Sequence, residues 1–435
     1  EISACLVGSE MCIRDRVDAI GIMLGTLAYK IFSARRRIVR RNLRIAWGET
    51  LDAAELERWT KQTFQDNGAN LLGGMRCMLL DDEALQHYVT VEGQELVRET
   101  LRVGGSGAIF ALCHMGNWET LARIASLVSP GTPAGAFYRP LNNPWMNRMT
   151  KRRRERSGTK LFSNKEGFNQ SLPLLRSGGM LGILSDQHAG RSGCMSTFFG
   201  RTTTCSPLVE LLQRRTKSSV FYVSIKRDAP AHWHISIRMH PAESPVTTPN
   251  IMAGLEKSLS LSPSDGFWMH NRWKQPAKRP LFHPFSRESL DPKSITKPWR
   301  WIFIGSEDPA IARASAAAMS FAANTAAHTE VEIIHHAPFE SSVGHVKQHT
   351  KKSDVCHQVD EIDRSRCYPV DAIICFFSSE EMNLIPLRNK APIIACVSGQ
   401  NLVKGCLSVH TSGMLTEEKT WWDFISQLGV KTPES

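Results

Sequence analysis

Apolar residues recur at helical spacing across residues 52–74, at Leu56, Trp59, Phe64 and Leu71, and this rhythm predicts an amphipathic helix. The rhythm then changes. Gly107 to Cys113 is a short, nearly continuous apolar run, which predicts a strand. A helix is expected from about Trp118 to Leu127, a strand over Ala134 to Tyr138, and a strongly basic helix over 144–156. Gly167 to Arg176 reads as a helix, Met180 to Leu184 as a strand and Pro207 to Arg215 as a helix. Val220 to Lys226 and His232 to Met239 read as strands. Strands and helices alternating in this way predict an α/β domain with a largely parallel central sheet.

The pattern breaks between Lys274 and Pro298, where Pro276, Pro280, Pro284, Pro292 and Pro298 interrupt a Lys/Arg-rich stretch. Residues 276–298 therefore read as a linker. A new strand opens at Trp299 to Ile304, followed by an Ala-rich helix over Ala310 to Asn324 and a strand at Val331 to His335. Further strands are expected at Asp371 to Phe376 and Pro392 to Val397, with a closing helix at Trp421 to Leu428. Residues 299–435 thus predict a second, smaller, Rossmann-like α/β domain.

At the other end, residues 1–16 read as a non-native scar and are set aside from the fold. Residues 17–50 form a membrane-proximal basic segment. Its apolar centre, Ala19 to Tyr29, lies between Asp18 and Lys30 and is short of the ~20 residues that span a bilayer. It suits the tail of a truncated membrane helix, an interfacial helix or a plain amphipathic helix. Arg35, Arg36, Arg37, Arg40, Arg41 and Arg44 follow at once. They form either a patch for anionic lipid on the cytoplasmic side or a solvated helix face.

Charge sharpens the division. The 435 residues carry a formal net charge of +11. The first 300 hold 42 basic and 26 acidic residues, while Trp301 to Ser435 hold 11 and 16. The basic part suits an anionic partner. The 11 cysteines are scattered, with no C-x-x-C and no zinc spacing, and read as reduced, mostly buried thiols. The irregularly spaced His328, His335, His336, His345, His349, His357 and His410 read as surface residues, so no metal is expected and no cofactor either.

The chemistry concentrates where the first apolar strand ends, at Cys113-His114-Met115-Gly116-Asn117-Trp118-Glu119. Ligands of open α/β sheets bind at the carboxyl ends of strands, and a His there is a candidate general base. Glu119 lies five residues on, across a Gly turn, from where its carboxylate can fold back on the imidazole. Cys113 points to the opposite face of the strand and reads as core. No nucleophile-elbow, phosphate-loop or dinucleotide-binding glycine pattern is present.

Further blocks follow in order. They are Phe137-Tyr138-Arg139-Pro140, Asn143-Pro144, the run Arg152 to Arg156, and Gly178-Gly179-Met180 through Ser185-Asp186-Gln187. Phe198-Phe199-Gly200 and Trp268-Met269-His270-Asn271-Arg272-Trp273-Lys274 complete the series. With the H-x-x-x-x-E of His114 and Glu119, residues of about 20–275 resemble the late, lauroyl-type lipid A biosynthesis acyltransferase family. The resemblance implies an enzyme at the cytoplasmic face of the inner membrane that moves a fatty acyl chain from acyl carrier protein to a hydroxyl of a lipid A precursor. His114 would be the base and Glu119 would position and charge-balance it. Arg139, Asp186, Gln187 and Asn117 would contact substrate. Arg152, Arg153 and Arg154 would dock the acidic carrier or a phosphate. An anionic membrane surface would be a partner, and nucleic acid would not, since no nucleic-acid-binding signature accompanies the charge. Cys194 and Cys205 flank the Phe-Phe-Gly block without an assigned role.

Residues of about 299–435 faintly resemble the N-terminal half of lipopolysaccharide heptosyltransferases, with Gly305-Ser-Glu-Asp-Pro309 departing from that family's turn. That implies a degenerate or truncated, glycosyltransferase-like partner domain. Two other functions stay open: acylation of another glycolipid such as mannosylated phosphoinositide, and a non-catalytic scaffold on a membrane surface.

Overall fold

The computed structural model describes residues 2–103, 105–163, 167–274, 296–297, 299–304, 329–335, 346–350, 355–375, 393–397 and 407–409. The chain divides into two compact units. The first comprises Glu1–Leu43, Asp52–Phe198 and Thr204–Arg272; the second comprises Arg44–Leu51, Phe199–Thr203 and Trp273–Ser435. Two short excursions from the first 275 residues thus belong to the second unit, a discontinuity that no reading along the chain anticipates.

The first unit is built on a seven-stranded sheet. Its strands are β1 (Val89–Glu92), β2 (Ala108–Leu112), β3 (Ala134–Tyr138), β4 (Lys160–Ser163), β5 (Met180–Leu184), β8 (Ser219–Ala229) and β9 (His232–Met239). Two short strands, β6 (Cys194–Phe198) and β7 (Arg201–Cys205), pair with one another apart from it. The order across the sheet is β1-β9-β8-β2-β5-β3-β4. Every neighbouring pair is parallel except β8 and β9, which form an antiparallel hairpin. Strand β2 lies between β5 and β8 and all five of its residues are buried. Burial on both faces is why its sequence is an unbroken apolar run.

Helices α1 (Ile2–Ile31), α2 (Ser33–Trp47) and α3 (Ala53–Cys77) precede the sheet. Asp52 caps α3, accepting from the Glu55 backbone while the Glu55 carboxylate returns to the Asp52 amide. The expected apolar stripe holds at Leu56 and Phe64, which are buried, but Leu71 faces solvent. The inner face of α3 is instead rich in polar residues, among them Asp66, Asn67 and Asn70. Helix α1 packs backbone to backbone on α3 because Gly21, Gly25 and Gly68 meet there; a Cβ on Gly25 would collide with the Phe64 carbonyl. Asp18 is also buried in α1, and Arg227 of β8 holds it at 3.0 Å. The N-terminal segment bends by 99° between Ile31 and Ser33. No single helix among the described residues is long and apolar enough to cross a membrane.

Beyond β2 the expected helix opens as a 3-10 turn, Trp118–Arg123, before one short α-helix, Ile124–Val128. The basic helix is Pro144–Arg154, where Asn143 caps the N-terminus by accepting from the amides of Trp145 and Met146. The helix Thr248–Leu261, not foreseen, covers the sheet beside β8.

In the second unit, β10 (Trp299–Ile304), β11 (Thr329–His335), β12 (Val346–Thr350), β13 (Ala372–Cys375), β14 (Ile393–Val397) and β15 (Leu407–Val409) form one sheet in the order β12-β11-β10-β13-β14-β15. All neighbours are parallel. Buried ion pairs brace it: Arg201 with Asp371, and Arg300 with Glu332 at 2.6 Å. His349, expected at the surface, lies 2.9 Å from Glu332. The helices foreseen at Ala310 to Asn324 and Trp421 to Leu428, the turn at Gly305 to Pro309, and His328, His336, His345 and His410 lie outside the described residues.

Gly25→Leu should force α1 away from α3 and cost about 1–3 kcal/mol as an overpacked contact. Ile20→Ser, on the outer face of α1, should change stability little. Thermal unfolding of the two variants beside the wild type checks both.

Candidate active site

Parallel pairing of β2 with β5 sets Leu112 opposite Leu184. Each chain then runs on two residues past the sheet, to His114 and Asp186, which meet although 72 positions separate them. The Asp186 carboxylate takes both ends of the histidine. Oδ1 lies 2.7 Å from the ring Nδ1, and Oδ2 accepts the His114 backbone N–H at 3.0 Å. An ionised carboxylate can only accept, so Nδ1 carries the proton and Nε2 is the basic nitrogen. Burial pushes the Asp186 carboxyl up, but the charge of His114 and its two hydrogen bonds outweigh this and hold it below the usual carboxylate range.

The turn after His114 has its own template. Gly116 has a φ of +54°, and a Cβ there would sit 2.6 Å from Ile225. The Gly116 amide donates to the Asp265 carbonyl at 3.0 Å, Met115 bridges to Gly266, and the Phe267 amide donates to the His114 carbonyl at 2.7 Å. Phe267 also packs on Trp118, whose ring in turn stands edge-on to His114. The 265–267 segment is pinned from α3, where Asn67 donates to the Gly266 carbonyl and Asn70 to the Asp265 carboxylate. Asn42 of α2 donates to the carbonyls of Trp268 and His270.

The other candidate residues take varied places. Glu119 is the second residue of the 3-10 turn, and Arg154 holds it through two hydrogen bonds, at 2.7 and 2.9 Å. The carboxylate on the His114 ring is therefore that of Asp186, not Glu119: strand pairing delivers Asp186 to the ring, while Arg154 turns Glu119 toward the basic helix. Arg154 is thereby engaged within the fold, whereas Arg152 is exposed and Arg153 partly so. Asn117 is 1% exposed and packs against Gly74 of α3. Arg139 is exposed just past the end of β3. Asp186 and Gln187 line a small open cleft with Phe198, Leu259, Phe267 and His270.

Cys113 is buried with its Sγ 3.6 Å from the Leu255 carbonyl, and burial pushes it well above its ordinary value. Cys205 is buried beside Arg272, and Cys194 lies against the Cys205 carbonyl. Among the described residues no group of His, Cys, Asp and Glu is placed to hold a metal ion.

Sequence reasoning missed Asp265 as a support of the turn and His270 as a lining residue of the cleft. Both lie in or just before the Trp268 block, so order along the chain marked the neighbourhood without assigning these two side chains a place.

Residues 11–275 match the family model described as bacterial lipid A biosynthesis acyltransferase. The chain is also similar to the lipid A biosynthesis lauroyltransferase of Escherichia coli (strain K12), at 22% identity over 263 residues, covering 59% of this chain and 84% of the relative.

Because the folded Asp186 titrates below the unfolded value of about 3.9, its bond to His114 stabilises the fold fully above that value. The contribution is lost as pH falls through the depressed value. Asp186→Asn should therefore be less stable than wild type at neutral pH, and the gap should close in strong acid. Urea unfolding midpoints across this range check it.

Proposed function

The chain belongs to the bacterial lipid A biosynthesis acyltransferase family, and on that premise we propose that it transfers a fatty acyl chain from acyl carrier protein to a hydroxyl of a lipid A precursor. The observation that carries this reading is the His114–Asp186 pair at the carboxyl ends of two central parallel strands. His114 Nε2 takes the proton of the acceptor hydroxyl as its oxygen attacks the thioester carbonyl. The developing imidazolium is stabilised by Asp186 through Nδ1–H. The C–O bond forms, the C–S bond breaks, and the thiolate of the carrier leaves and recovers the proton from Nε2. No covalent acyl-enzyme is needed. Glu119 acts one step removed, fixing Arg154 beside the turn.

The apolar wall of the cleft, with Phe198, Leu259 and Phe267, suits the acyl chain, and Gln187 suits the polar end of the donor. Arg139, Arg152 and Arg153 offer charge to acceptor phosphates or to the acidic carrier. The strand order of the second unit is that of doubly wound nucleotide-binding sheets, which supports a Rossmann-like reading without a catalytic role.

The same reading places the protein on the cytoplasmic face of the inner membrane. Ile20, Met23, Leu24, Leu27 and Ile31 line one exposed face of α1, while Asp18, Gly21 and Gly25 face inward. On α3, Leu71, Met75 and Leu79 are exposed as well. An apolar helix face followed by the arginines of α2 suits the interface of an anionic bilayer.

Transfer of labelled acyl groups from acyl carrier protein to a bisphosphorylated lipid A precursor is the direct test. His114→Ala should lower the rate by about 10²–10⁴-fold, and Asp186→Ala should also lower it, while Glu119→Ala should lose less. If folded wild type transfers nothing, this acceptor is wrong, and mannosylated phosphoinositide is the one to try next.

Binding to the membrane is a separate outcome. Wild type should float with vesicles containing anionic phospholipid, less so with zwitterionic vesicles or at high salt. Leu24→Asp with Leu27→Asp should abolish flotation, whereas retention by this pair would remove α1 as the contact.

A further inference from the structure

We propose that Asp265 is a positioning residue for His114, and that through Arg227 the same buried cluster fastens helix α1 to the catalytic turn. The kinetic part of this inference rests on the acyl-transfer reading; the geometric part does not.

Asp265 is 2% exposed and does not touch the cleft. Its main-chain carbonyl takes the Gly116 amide, and the next two residues bridge to Met115 and bond the His114 carbonyl. Whatever holds Asp265 therefore holds the backbone on which the imidazole rides. Three donors hold it: Asn70 Nδ2 at 2.8 Å on Oδ1, and Ser262 Oγ at 2.7 Å with the Arg227 amide at 3.1 Å on Oδ2.

Two of these donors, Asn70 and the Arg227 amide, cannot be reversed. The Asn70 Oδ1 accepts the Trp233 indole N–H at 2.7 Å, which fixes its amide with the NH₂ toward Asp265. The Arg227 amide is a donor by nature. Only a side chain that accepts on both oxygens satisfies this site, which a carboxylate does and a carboxamide does not. The Arg227 guanidinium supplies the nearby positive charge and is shared with Asp66 at 2.6 Å and Asp18 of α1 at 3.0 Å. The chain of contacts thus runs from α1 through Asp18, Arg227 and Asp265 to Gly116 and His114.

Asp265→Asn is nearly isosteric but places an NH₂ against a donor on one side or the other. The exchange Asn70→Asp with Asp265→Asn keeps the charge and restores every bond. Aspartate at 70 accepts from Trp233 and from the new amide, whose oxygen faces Ser262 and Arg227. The readouts on the full chain are the ¹⁵N signals and titration of the His114 ring without substrate, and kcat and KM for acyl transfer.

Asp265→Asn should shift the His114 ring signals and titration and lower kcat by on the order of 10–100-fold with KM little changed, as expected for a displaced base. The double exchange should recover both. Ser262→Ala, which removes one hydrogen bond, should move the same signals less and in the same direction, and serves if Asp265→Asn does not fold. Unchanged His114 signals in a folded Asp265→Asn, or in Ser262→Ala, would overturn the proposal. Shifts that the double exchange leaves uncorrected would overturn it too. Because the ring signals need no substrate, absence of transfer by wild type would sink the functional reading and leave this test intact.

Discussion

The parallel pairing of β2 with β5 is the constraint on which the rest of the first unit depends. It brings two strand ends into register, so a histidine and an aspartate far apart in sequence share one hydrogen bond of 2.7 Å. The pairing needs both strands buried on two faces, which the apolar runs provide. It also needs a tight exit from β2, which the left-handed Gly116 allows. Moving the register by one residue would turn both side chains to opposite faces.

Around that pair the molecule spends polar groups where a core would ordinarily be apolar. Asp18, Asp66, Asp265 and Arg227 are grouped beneath the turn, together with Asn67 and Asn70 of α3. Buried charges are costly unless each is paired and its hydrogen bonds are met, and removing one partner leaves the other stranded. Such a cluster is poor evidence for stability. It is a good device for fixing a loop, because alternatives to the observed set of donors and acceptors are few. The burial that pushes Asp265 up acts against the hydrogen bonds from Asn70 and Ser262.

Helix α1 illustrates a second tension. Its glycine face lets α3 approach backbone to backbone, and its opposite face leaves large apolar side chains such as Met23, 61% exposed, in the open. A segment reading as a membrane-proximal apolar stretch is therefore amphipathic by packing rather than by composition, since the inward side is lined by glycine and one buried aspartate.

Sequence alone determined the elements whose pattern is local. The apolar runs at Met180–Leu184 and Trp299–Ile304, and the alternation over His232–Met239, have the observed strand limits because burial of both faces, or of one, writes itself directly into residue order. The helix Thr248–Leu261 is not legible in residue order although Pro249 is a common helix opener, since Gly254 and the serines after it blur its apolar face. The neighbourhood of the site was equally legible, because His114 and Asp186 each follow an apolar strand. Their partnership was not. Glu119 is near His114 along the chain and Asp186 is remote, yet hydrogen bonding depends on distance in space, and strand order decides that distance. The same holds for Asp265, whose bonds to Asn70, Ser262 and Arg227 join three separate elements, and for Arg44–Leu51 and Phe199–Thr203, which fold with a unit most of whose sequence lies far downstream. Local periodicity sets which residues are strand or helix; only closure of the sheet sets which side chains meet.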